Sequence, residues 1–292
     1  MRFVWIQDLN FLQNPSGGAQ ASDYQHFIYG LKRGYNQVLI TPENYQNIPV
    51  QENDILILSN ITRFGAERFL DKPNKIIMFH HDYNFCKWRL YFPMADKCFN
   101  CFYLPEWKKL YQKAALNIFL SPLHYEMHKK LFGDAIEPHV LVPSPVDPNK
   151  FYDMGKERTK DVVTVNGHLP FKGRDNLIKF AKENPNRQIS IIGPPPDFEL
   201  PPNCEYIGFV PNNKLNEILN DYRYYLELPN TPQPLNRTAC EAYLAGCKLI
   251  TTNLLGFASW GWRSREEVVK NIGENASKKF WDAIMEVIEN ER

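Results

Sequence analysis

The sequence predicts an α/β protein of two domains, each a parallel sheet covered by helices. Three observations carry this. Short, apolar, often β-branched runs alternate with helical stretches along the chain, the pattern of a buried parallel sheet. Val142-Pro143-Ser144-Pro145-Val146-Asp147-Pro148 breaks the alternation with three prolines, which disfavour helix and mark a linker. The length of 292 residues exceeds one ordinary core, so two domains of about 100 to 150 residues each are expected. The boundaries read this way are 1–150, 151–265 and a C-terminal helix, 266–292.

In the first domain the strand-like runs are 2–6, 37–41, 54–59, 75–79, 116–120 and 139–142. Tyr24, Phe27, Ile28 and Leu31 mark the first helix by their spacing. Ser121-Pro122 opens another helix with a side-chain cap and a proline in the first turn, and Gly133 closes it. The second set of strands is 161–165, 188–192, 205–209, 224–228 and 248–252, with helices at 174–183, 214–221 and 237–245. Ser264 and Glu267 have capping-box spacing, and Phe280, Trp281, Ile284, Val287 and Ile288 line one helix face.

Composition excludes several classes. Hydrophobic content of 43% and charged content of 23% fit a globular chain rather than a disordered one. The formal charge is +1, so no global field draws the protein to nucleic acid or acidic lipid, and nucleic acid is an unexpected partner. No apolar run approaches the roughly 18 residues that span a bilayer, and Met1 to Ile6 passes straight into a strand, unlike a signal peptide. A cytoplasmic location follows, with peripheral membrane contact open through the aromatic and basic stretches 88–92 and 102–110, for which acceptor binding is the preferred role. In a cytosol the six cysteines are reduced; Cys86, Cys98 and Cys101, near His80-His81, offer ligands for a structural zinc, though the irregular spacing favours packing or free thiols.

The chemistry-bearing residues fall where strands end. Gly17-Gly18 follows the first strand, and His80-His81-Asp82 follows the run 75–79. Open α/β sheets bind ligands at such carboxyl ends. Gly167, His168 and Lys172-Gly173-Arg174 follow 161–165, and Gly193 follows 188–192. A strand ending near Leu228-Pro229, a polar loop and a helix starting near Asn236 aim unpaired N–H groups at an anion, with Glu241 one turn in, under Arg237 and Thr238.

This ordered set, Gly17-Gly18, His81-Asp82, Lys172-Gly173, Gln233 through Glu241-Ala242, and Gly246, resembles the retaining glycosyltransferases of the GT-B fold, family 4 type, over nearly the whole chain. The resemblance implies two Rossmann-like domains facing across a cleft, with the C-terminal helix crossing back to the first. It implies a hexosyltransferase-like enzyme that moves a sugar from a nucleotide diphosphate donor, such as a UDP- or GDP-sugar, to a glycan, lipid-linked or other hydroxyl acceptor, with retention and no cofactor. Catalytic roles then fall on His81, Lys172 and Glu241, and donor contacts on Gly17, Gly18, Gly167, His168, Arg174, Gly193, Gln233, Leu235, Asn236, Arg237 and Thr238. The chain departs from the signature twice. Gln233 stands where the first of its two glutamates belongs, and His168 stands where an arginine is expected, leaving Arg174 to supply that charge. These departures keep open a catalytically weak nucleotide-sugar binding subunit. The shared fold keeps open sugar-nucleotide epimerisation. No Asp-x-Asp pair occurs in the sequence, so no essential divalent cation is expected.

Overall fold

The alternation of strand and helix resolves into two all-parallel sheets. In the computed structural model, which describes residues 1–13, 15, 17–86 and 104–290, the first sheet holds β1 (Phe3–Ile6), β2 (Gln37–Ile40), β3 (Ile55–Leu58), β4 (Lys75–Phe79), β5 (Leu116–Phe119) and β6 (His139–Leu141). Their spatial order is β2-β1-β3-β4-β5-β6. The second sheet holds β7 (Lys160–Val165), β8 (Ile189–Ile192), β9 (Cys204–Gly208), β10 (Tyr222–Glu227) and β11 (Lys248–Thr251), ordered β11-β10-β7-β8-β9. β1, β3, β5 and β8 are buried at every residue, because helices cover both faces, and this is why they read as unbroken apolar runs. The edge strand β9 exposes Glu205, Tyr206 and Ile207.

The covering helices are α1 (Gly18–Lys32), α2 (Leu104–Lys113), α3 (Pro122–Phe132), α4 (Arg174–Glu183), α5 (Asn212–Leu219), α6 (Arg237–Leu244), α7 (Gly256–Ser259), α8 (Arg265–Ile272) and α9 (Glu274–Glu289). Their ends follow the local chemistry. The Ser121 hydroxyl accepts from the His124 N–H at 3.1 Å, and Gly133, at φ 57°, ends α3. Ser264 caps Glu267 N at 3.1 Å, but Glu267 reaches back to the N–H of Arg263, one residue before the cap. On α2, Trp107, Leu110 and Tyr111 are buried while Lys108 and Lys109 face solvent, which makes its described part a packing face.

The chain divides into two compact units, residues 1–145 with 274–292, and residues 146–273. The stretch expected as one terminal helix is therefore two. Gly273 closes α8 within the second unit, and α9 belongs to the first. There Phe280, Trp281 and Ile284 are buried, Trp281 Nε1 donates to His26 O at 2.8 Å, and Phe280 stacks on Trp5 at 5.6 Å. The second unit has its own core of Val162, Leu177, Ala181, Ile189, Ile191 and Leu226. In each sheet the strand order reverses at one place, between β1 and β3 and between β7 and β10. Ligand crevices of doubly wound sheets form outside the carboxyl ends at such places. Among the described residues, no helix is long and apolar enough to cross a membrane.

Candidate functional site

The second unit gathers its charged groups where β7 and β10 run side by side. After β7 the chain makes a 3-10 turn, Pro170–Lys172, and then Gly173 takes φ 108°. A Cβ there would stand 2.0 Å from Leu228 O, so only glycine lets this turn press against the end of β10. Lys172 is thereby brought within electrostatic reach of Glu227, the last residue of β10 and only 1% exposed. Glu227 Oε1 accepts from Gln233 Nε2 at 2.9 Å, and Oε2 accepts from Tyr225 Oη at 3.2 Å. Burial raises its pKa; Lys172 and the bonds from Gln233, Tyr225 and Asn236 oppose that rise.

Gln233 is held by main chain as well as side chain. Its N–H donates to Leu254 O at 2.8 Å, its carbonyl accepts from Gly256 N at 3.0 Å, and Leu235 O accepts from Phe257 N at 2.8 Å. A Cβ on Gly256 would lie 2.2 Å from Pro234 O, so this strap also requires glycine. The Leu235 side chain is buried in packing. Asn236, at φ 69°, caps α6 by accepting from Ala239 N at 2.9 Å, while its Nδ2 donates to Gln233 Oε1 at 2.6 Å. One turn in, Glu241 is 3% exposed and accepts from Arg237 Nε at 3.0 Å. Burial raises the Glu241 pKa against the pull of Arg237 and Lys150. Thr238 is half-buried in the first turn.

His168 and Arg174 each have partners within the second unit. His168 is buried, its Nε2 lies 2.8 Å from Pro194 O, and burial lowers its pKa. Arg174 donates to His168 O at 3.1 Å and to Asp197 Oδ1 at 2.5 Å, with its guanidinium 4.9 Å over the Phe198 ring. Gly167 is buried at the end of β7, and Gly193 O accepts from Tyr206 Oη at 2.9 Å.

In the first unit His81 follows β4 and is 8% exposed; its Nε2 lies 2.6 Å from Asp23 Oδ1. The other oxygen of Asp23 accepts from Gln7 Nε2 at 2.7 Å and Ser59 Oγ at 2.6 Å. Gln7, Ser59 and His81 leave the carboxyl ends of β1, β3 and β4, and Asp23 comes from α1, shortly after Gly17-Gly18. Gly17 is the N-cap residue of α1 and lines a groove with Leu9, Asn10, Gln13, Gln20 and Glu43. His80 points the other way, as the alternation of an extended chain requires. It bonds Asn117 at 3.0 Å and stacks on Phe119 at 4.4 Å, inside the core. Cys86 is a half-buried free thiol, and Cys98, Cys101 and the stretch 88–92 lie outside the described residues. Among the described residues no group of three His, Cys, Asp or Glu could hold a metal ion.

One candidate residue in each unit escaped sequence reasoning. Glu227 ends an apolar strand, where a buried acid is itself a signal; Asp23 sits on the buried face of α1 beside Gln20 and His26, a polar side of a helix turned inward.

No family model and no curated protein matches this sequence. Solved structures do. Sucrose-phosphate synthase from Thermosynechococcus elongatus is 12% identical with a TM-score of 0.75, covering 99% of this chain and 100% of that one. HepE from Anabaena, in complex with UDP and glucose, is 13% identical with a TM-score of 0.66, covering 98% and 100%. A glycosyltransferase from Rickettsia africae is 12% identical with a TM-score of 0.67, covering 99% of each. At such identities the likeness speaks for fold, and over its full length this chain has the GT-B fold of two Rossmann-like α/β domains.

Proposed function

We propose that this protein is a glycosyltransferase that moves a sugar from a nucleotide diphosphate donor to a hydroxyl acceptor, with retention and without an essential metal. The observation that carries the reading is the hydrogen-bond chain from Glu227, which Lys172 faces, through Gln233 and Asn236 to the capped N-terminus of α6, with the carboxylate of Glu241 one turn into that helix. Lys172 and the first-turn N–H groups of α6 suit a diphosphate. Negative charge grows on that group as the glycosidic bond breaks, so a preorganised cation acts on the transition state more than on the ground state. Glu241 is the acceptor for ribose hydroxyls, exchanging its bond from Arg237 for bonds from the diol. Gln233 is the candidate contact to sugar hydroxyls, and the departing phosphate takes the acceptor's proton. HepE, of the same fold, has been seen with UDP-glucose.

The test is thermal stabilisation by a panel of UDP- and GDP-sugars, since a ligand bound only by the folded state raises the melting point. Glu241→Gln should weaken donor binding about 10-fold or more, the worth of a charge-assisted hydrogen bond. Failure of every nucleotide and nucleotide sugar to shift the melt would end the reading. Turnover should persist in excess chelator. Gln233 and His168, where charged residues were expected, favour a second reading: a subunit that binds donor without turning it over. Donor that is bound but neither transferred nor hydrolysed with any acceptor would select it, and a changed sugar from donor alone would indicate epimerisation.

A further inference from the structure

We propose that Glu227 is a positioning residue for the donor sugar: it locks the amide of Gln233 so that one N–H faces the ligand, at the position where this chain lacks the first acid of the two-glutamate signature. The orientation is set from both ends of a hydrogen-bond chain. At one end the Ala239 N–H can only donate, so it claims Asn236 Oδ1 at 2.9 Å. Asn236 must then turn its NH2 outward, and that group donates to Gln233 Oε1 at 2.6 Å. The Gln233 NH2 is thereby directed at Glu227, whose Oε1 accepts at 2.9 Å. An ionised carboxylate only accepts, so neither end of the chain permits a flip. Tyr225 Oη, at 3.2 Å, holds the second oxygen; burial raises the Glu227 pKa and Lys172 opposes that rise.

The consequence is specific. An amide has two N–H donors and one oxygen. Here the oxygen and one N–H are engaged, and a single N–H remains. A glutamate at 233 would accept from a sugar hydroxyl; Gln233 held this way donates instead, to a hydroxyl or carbonyl oxygen of the sugar. The Gln233 backbone is tied to Leu254 and Gly256, which fixes the point from which the side chain reaches Glu227. Both oxygens of Glu227 are engaged, by Gln233 and Tyr225, so Glu227 acts through Gln233 and not on the ligand itself.

This rests on the glycosyl-transfer reading, and one titration separates the two. Binding of UDP-glucose and GDP-mannose is compared with that of bare UDP and GDP, for the wild type and for Glu227→Met, which keeps the size and removes the acceptor of the Gln233 amide. The expected result is a fall of about 10-fold in affinity for the nucleotide sugar, with the bare nucleotide changed less than about 3-fold, the scale of one hydrogen bond. Equal changes in both affinities, or none in either, would reduce Glu227 to a structural role. Wild-type chain that binds no nucleotide sugar overturns the parent reading together with this one. Should Glu227→Met fail to fold, Gln233→Met keeps the size, removes both amide bonds and should lower the same ratio; an unchanged ratio would overturn the proposal equally.

Discussion

Burying a carboxylate costs free energy unless donors surround it, and the two units, each taken by itself, contain three cases with different surroundings. Asp23 accepts from Gln7 and Ser59 and lies against His81. Asp23→Ala would orphan all three, so a loss on the order of 3 kcal/mol is expected in urea unfolding. Glu227 and Glu241 both have pKa values raised chiefly by burial, against Lys172, Tyr225, Gln233 and Asn236 in one case and Arg237 and Lys150 in the other. A raised folded pKa means that the native state binds the proton more tightly than the unfolded chain. The contribution is therefore full below the ordinary value of 4.5 and is lost as pH rises through the folded value. The melting temperature of Glu227→Gln relative to wild type should rise as pH climbs from 4.5 to 7; a constant difference would contradict the assignment. Lys172 and Asn236 were legible in sequence because a lysine before a glycine and a cap before a helix are local patterns. Their partners Glu227 and Gln233 were not paired there, since hydrogen bonding between two loop-end side chains is a tertiary fact.

At the scale of elements, close approach decides placement. Gly173→Ala forces a Cβ against Leu228 O and into a left-handed φ, so the 3-10 turn bearing Lys172 must lift from β10. About 1 to 3 kcal/mol of stability should be lost, with weaker nucleotide binding, and calorimetric titration reads the second effect. A different device lies where α3 packs on β4 and β5. His80, His124 and His128 are buried among Phe119, Tyr83 and Tyr111, with Asn117 and the Asp82 carbonyl as polar neighbours. Burial lowers all three pKa values, that of His128 from 6.5 to about 4. The sign is opposite to that of the glutamates: stability is full above 6.5 and falls as acid drives proton uptake by the unfolded chain. His128→Leu should flatten the decline in melting temperature between pH 6.5 and 4, and an unaltered slope would exclude His128 as its source.

For the whole molecule, chain order and spatial order part at one place. The second unit is a single stretch, 146–273, whereas the first is completed by 274–292. A fragment of 146–273 should therefore unfold cooperatively by itself, while 1–145 alone should not, because Trp5 and His26 would lose Phe280 and Trp281. Trp281→Ala in the full chain should cost about 3 to 5 kcal/mol by urea unfolding, the range for emptying a large aromatic site. Most of this architecture was readable without coordinates: unbroken apolar runs announced strands buried on both faces, Ser121 and Asn236 announced helix starts, and three prolines announced the passage between units. Periodicity and capping act within a few residues, and a linear text records them fully. What the tertiary structure alone decided is which side chain meets which across separate elements: Asp23 under His81, Asp197 on Arg174, and Glu227 behind Gln233. Those neighbours are set by strand order and loop packing, where residues far apart in the chain compete for the same few ångströms.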